Sequence, residues 1–196
     1  MEETDTVDEQ QKRTLQTRNV LVTALFAALM AVGAYIKVPI PPVPVTLQTL
    51  FVLTAGLMCG WKIGLASVAV YLFIGAIGMP VFTSGGGIAA MIGPTGGFLF
   101  GLIPAVLIAG VCSDIGYRHK EGEQPNGKRF LLWCALGAVL ATFIGIYGAG
   151  VPWLKVNRQL SWSAALAGGM YPFLIGDTIK IIVAVLLAGK FRERFA

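Results

Sequence analysis

The chain has 196 residues, of which 56% are hydrophobic and only 13% charged. An ordinary soluble domain carries roughly 25% charge, so a soluble globular protein is excluded, and the length suits about six spans of ~20 residues with no separate soluble domain. The net charge of +5 then bears on membrane topology rather than on nucleic acid.

Catalytic and metal chemistry are poorly supported. Cys59, Cys112 and Cys134 lie in or beside apolar segments without Cys-x-x-Cys spacing, and isolated thiols there behave as small apolar residues. The single histidine, His119, sits in a polar loop among Lys, Arg and Glu. No metal-ligand spacing and no nucleophile–base–acid set is visible. Neither an enzyme nor a bound cofactor is expected.

In chain order, 1–18 is acidic and then basic, lacks the layout of a signal peptide, and reads as a disordered cytoplasmic tail. The remainder, 19–196, reads as one membrane domain. A first span over 19–36 carries Ala24, Ala27, Ala28 and Ala31. The pairs 24/28 and 27/31 have the small-xxx-small spacing that lets another helix approach closely. Residues 37–46 contain Pro39, Pro41, Pro42 and Pro44, which forbid a helix and imply an extended segment laid over the bundle. A second span over 45–59 carries Gln48 near its start, an amide that needs a partner in another helix or a solute. Gly60-Trp61-Lys62 makes an interfacial corner into a third span over 63–77.

The stretch 79–98 is too rich in Gly and Pro for a regular helix, yet has no charge. Irregular backbone at membrane depth is tolerated only when buried in protein or lining a cavity, so a lid or pocket wall is expected. A fourth span over 97–111 contains Pro104, and 113–129 is the long polar loop. A fifth span over 130–150 carries Tyr147 near its end, and 151–162 reads as an interfacial connection. The sixth span, 163–189, holds Asp177 and Lys180, the only acid and base well inside a long apolar segment. Their i, i+3 spacing puts them on one helix face. Charges at this depth normally face the bundle interior and mark a ligand site or pathway; the competing possibility is a clasp between helices.

Placing both termini inside puts eleven cations on that side: Lys12, Arg13, Arg18, Lys62, Arg118, Lys120, Lys128, Arg129, Lys190, Arg192 and Arg194. Only three, Lys37, Lys155 and Arg158, fall outside. That asymmetry predicts cytoplasmic termini and an even number of spans. The proline segment, the glycine-rich segment, Gln48, Tyr147 and the start of the Asp177 helix then converge on the outer side as an outward-opening pocket.

The run Pro44-Val45-Thr46-Leu47-Gln48-Thr49-Leu50, then Gly78-Met79-Pro80-Val81-Phe82, Gly85-Gly86-Gly87, Gly93-Pro94-Thr95-Gly96-Gly97-Phe98 and finally Gly176-Asp177-Thr178-Ile179-Lys180 resembles the BioY family. These are biotin-specific S components of energy-coupling-factor (ECF) transporters. The resemblance implies an all-α integral protein of the cytoplasmic membrane with six spans. It would capture biotin outside and release it inward when coupled to a transmembrane scaffold subunit and ATP-hydrolysing subunits. It also implies that the first helix, through Ala24, Ala27, Ala28 and Ala31, faces the scaffold subunit. Asp177 and Lys180 would meet the ureido ring, assisted by Gln48, Thr46, Tyr147, Ser84 and the loop amides of Gly85, Gly86 and Gly87, with Tyr71 and Phe82 covering the apolar ring. Lys180 is equally able to meet the carboxylate, and the sequence leaves both assignments open. Other readings are an S component for a different vitamin, an ion-coupled carrier using Asp177 and Lys180 as a relay, and a purely structural membrane subunit.

Overall fold

The structure is a computed structural model that describes residues 2–118 and 127–195, with side chains from Arg13 onward. His119 and Lys120 lie outside the described residues. The first helix, α1 (Glu2–Tyr35), continues back through the segment that reads as an unstructured tail. Glu, Gln, Lys and Arg are good helix formers, and extending a helix already formed over the apolar span avoids the cost of nucleation.

Lys37–Val38 (β1) and Val45–Thr46 (β2) pair antiparallel, Lys37 opposite Thr46 and Val38 opposite Val45. The prolines between them leave no route to a helix, and the segment closes into a small flap. The second apolar helix, α2 (Gln48–Ala76), therefore starts three residues later than the sequence suggests.

α2 folds back on itself at Gly60, whose φ of 79° and ψ of 176° are non-helical. A Cβ on Gly64 would lie 3.1 Å from the Gly56 Cα, whereas residues eight apart in a straight helix are separated by about 12 Å. The corner read at Gly60-Trp61-Lys62 is thus where the chain reverses. Only glycine suits it: φ is in the left-handed region, and a Cβ would stand 2.7 Å from the Asp114 carboxylate.

The glycine-rich stretch after α2 is largely irregular, as expected, with one short helix, α3 (Ile88–Ile92). α4 (Gly96–Tyr117) follows and carries Pro104 internally. Next, α5 (Gly127–Leu140), a π-helical stretch (Ala141–Tyr147) and α6 (Gly148–Arg158) form one continuous rod. The connection read over 151–162 is helical as far as Arg158. Val151 and Leu154 are buried and hold the extra turns against the bundle, while Asn157 and Arg158 face outward. The rod ends at Gln159 in the left-handed conformation, and Ser161 caps α7 (Trp162–Gly169) by accepting from the Ala164 N–H at 3.2 Å.

The sixth span, read over 163–189, falls within one apolar stretch, Trp162–Arg194, that carries an internal break. It breaks at Met170, passes through a 3-10 turn (Tyr171–Phe173) containing Pro172, and resumes as α8 (Leu174–Phe191). A proline lacks the amide hydrogen that a continuous helix would use.

Among the described residues, five helical stretches are long and apolar enough to cross a membrane, the second of them doubled at Gly60. α4 lies centrally, packed against α2, α5, the π stretch and α6. Large apolar side chains cover the outside: Ile175 is 79% exposed, Leu132 70% and Phe73 66%. Such a surface matches lipid rather than water, and the chain is a multi-pass membrane protein. The Gly60 corner, Asp114 and Arg192 gather at one end of the bundle. The flap, the glycine-rich stretch and the α7–α8 break gather at the other.

Candidate functional site

Under the flap lies a small, partly open cavity. Its polar floor is supplied by α8 and the start of α2. The break at Met170–Phe173 starts α8 beneath the flap, which places Asp177 in its first turn, where the helix dipole favours a negative charge. Lys180 follows on the same face. Both are buried, 6% and 7% exposed.

The Lys180 Nζ donates to Asp177 Oδ1 at 2.8 Å and to Thr49 Oγ1 at 3.1 Å. The Tyr147 hydroxyl donates to Asp177 Oδ2. Tyr147 is the last residue of the π-helical stretch, a geometry that recurs at functional sites because it shifts side-chain register. Gln48, at the first turn of α2, also lines the cavity, and its Nε2 is buried with no hydrogen-bond partner. A buried unpaired donor costs about 1–3 kcal/mol.

The walls are apolar: Phe98, Leu99 and Leu102 from α4, Ile146 from the π stretch, Phe173 from the 3-10 turn, and Val43 and Pro44 from the flap. Phe98 and Phe173 lean together, their ring centres 6.4 Å apart. At the mouth are three hydroxyls, Thr46, Thr83 and Thr95.

The cavity thus unites Asp177, Lys180, Gln48, Thr46 and Tyr147 from the sequence-predicted set. It does not bring in Tyr71 or Phe82, which are each 1% exposed and pack edge to face on one another, ring centres 5.4 Å apart, outside the cavity lining. Gly75 explains why: with no Cβ it lets the Phe82 ring lie against α2, where any side chain would overlap it. The Tyr71 hydroxyl is taken by the Val81 carbonyl at 3.1 Å. Ser84, Gly85, Gly86 and Gly87 are likewise absent from the lining, and the loop instead contributes Thr83 and Thr95. Gly85 and Gly87, both at positive φ, shape the turn rather than the pocket.

Sequence reasoning missed Thr49, Phe98 and Phe173 as cavity residues. Thr49 and Phe98 sit inside the runs quoted above, so their signal was present. Phe173 enters only because of the helix break. On α1, Ala24 and Ala28 are exposed, Ala31 is half-buried, and Ala27 is 5% exposed within the chain's own core. Ala27 is therefore spent on internal packing.

The BioY family model matches residues 8–196. A probable biotin transporter BioY from Lysinibacillus sphaericus is 38% identical over 185 residues, covering 91% of this chain and 89% of that one. The biotin transporter BioY of Thermotoga maritima is 34% identical, covering 90% of this chain and 96% of its own. A crystal structure of the S-component for biotin from an ECF-type ABC transporter superposes with a TM-score of 0.74 at 27% identity, covering 91% of this chain and 92% of that one. A family match over nearly the whole length, joined to the same helical fold, shows that the chain belongs to the BioY family.

Proposed function

We propose that this protein is the substrate-capture component of an ECF-type biotin transporter, holding biotin in the cavity beneath the flap. The observation that carries the reading is the buried, unpaired Nε2 of Gln48, a residue that lines the same cavity as the Asp177–Lys180 pair. An unsatisfied buried donor beside two partly satisfied charges is a hydrogen-bonding set lacking one partner.

A ureido ring supplies that partner. Its two N–H groups donate to Asp177, and its carbonyl accepts from Gln48 Nε2 and from the third proton of Lys180, since Lys has three donors and two are engaged. The bicyclic ring then rests against Phe98, Leu102, Ile146 and Phe173. A carboxylate suits this floor less well, because it would stand beside Asp177, and like charges at such range are unfavourable in a low-dielectric site.

The Gly60 reversal and the eleven-to-three cation asymmetry support six spans with both termini cytoplasmic. The cavity then opens to the cell exterior from the cytoplasmic membrane. The exposed Ala24 and Ala28 offer a flat strip of small residues to a scaffold subunit, which with ATP-hydrolysing subunits would drive release inward.

Equilibrium binding of labelled biotin to the purified protein in detergent tests the reading. The expected result is saturable binding displaced by unlabelled biotin and not by thiamine or riboflavin. Folded protein that binds no biotin would contradict it.

A further inference from the structure

The floor of the cavity is electrically balanced, and its rim is not. Asp177 compensates Lys180 at 2.8 Å, so the buried part offers no net positive charge to an anion. Around the mouth, the segments 36–47, 77–95 and 148–171 carry Lys37, Lys155 and Arg158 and not one Asp or Glu. Lys155 is drawn to the Trp162 ring, 5.2 Å from its centre. Arg158 is exposed beside Pro41 and Pro42 on the outer side of the flap.

Lys37 is placed differently. It stands opposite Thr46 in the flap, and its Nζ donates to the Thr83 carbonyl at 2.8 Å. Thr46 and Thr83 both line the cavity from opposite sides. The ammonium therefore sits where the flap meets the glycine-rich stretch, at the edge of the opening, with two of its three donors not used by Thr83.

We propose that Lys37 is the residue that reads the negative charge of the ligand, meeting the carboxylate of the side arm at the mouth while the ring head lies on the neutral floor. This rests on the assignment of the cavity to biotin. A ligand whose polar ring is buried among Asp177, Lys180 and Gln48 can run its chain past Thr46, Thr83 and Thr95, the lining hydroxyls of the flap and the glycine-rich stretch. Its carboxylate then arrives where Lys37 is held, among segments that carry no Asp or Glu. The same contact joins ligand to both flap and loop, so the anion adds a third partner to a bond that already ties the two together.

The test compares biotin with biotinol, its uncharged alcohol, on wild type, Lys37→Met and Lys37→Arg. Wild type is expected to prefer biotin. In Lys37→Met, biotin binding weakens about fivefold while biotinol stays within about twofold, as for a partly exposed ion pair. Lys37→Arg restores the preference, and raising the salt concentration shrinks it in wild type. If Lys37→Met keeps the full preference, the assignment of Lys37 is overturned and the biotin site stands. Equal weakening of both ligands also overturns it, since Lys37 would then serve only to tie flap to loop. A wild type that binds neither ligand overturns both proposals together.

Discussion

At the scale of single residues, the site rests on a contrast between groups that are already paired and one that is not. Asp177 and Lys180 were conspicuous in the sequence because ionisable groups inside a long apolar run need a reason. Their mutual contact follows from i, i+3 spacing, but Thr49 and Tyr147 as their partners do not. Those pairings depend on how α2 and the π-helical stretch face α8, which no local spacing encodes. Gln48 is the sharper case, because its amide donor is buried and unsatisfied. Replacing it with Leu should leave thermal stability unchanged or slightly raised, since a buried unpaired donor is removed. The same change should weaken biotin binding by about tenfold, the loss of roughly one hydrogen bond to the ligand. Thermal unfolding and a binding isotherm on one preparation check both halves. A fall in stability with unchanged affinity would mean that the amide has a structural partner.

At the scale of elements, the apolar runs showed where helices form, and the exceptions came from backbone devices of different legibility. Gly60 was readable, because Gly-Trp-Lys interrupts the apolar pattern at an interface. The break at Met170–Phe173 was signalled by Pro172 yet hidden inside continuous apolarity, and the π-helical stretch over Ala141–Tyr147 has no sequence signature at all. The end of the bundle opposite the cavity depends on another buried contact. Arg192, 7% exposed, pairs with Asp114, donates to the Met58 carbonyl at 3.2 Å and lies 5.2 Å from the Tyr117 ring centre. It fastens the end of the last helix to the α2 reversal. Arg192→Ala would leave the Asp114 carboxylate without its counter-charge and should cost about 3 kcal/mol of stability, read as a lower melting temperature in detergent. Because this contact is at the far end from the cavity, biotin affinity of the folded fraction should change less than twofold. Gly60→Ala should be as damaging, since it adds both left-handed strain and overlap with Asp114.

At the scale of the whole molecule, composition and the charge asymmetry carried most of the argument, and the fold bears out an apolar helical bundle with its irregular segments collected at one end. The flap, the glycine-rich stretch and the α7–α8 break belong together because each contributes to the cavity at one end of the bundle. Orientation in the membrane is open to direct labelling. A cysteine introduced at exposed Ser161 should react with a membrane-impermeant maleimide applied to intact cells. One introduced at Arg118 should react only after permeabilisation. The reverse pattern would place the cavity on the cytoplasmic side. The central claim is that the Asp177–Lys180 floor holds the ligand, and calorimetry with biotin on wild type, Asp177→Ala and Lys180→Ala tests it most directly. Each substitution should weaken binding by about 2 kcal/mol or more, some thirtyfold, as expected when a charged hydrogen-bond partner is lost from a buried site. Biotin binding of wild-type strength in both variants would contradict the assignment and move the ligand away from the pair.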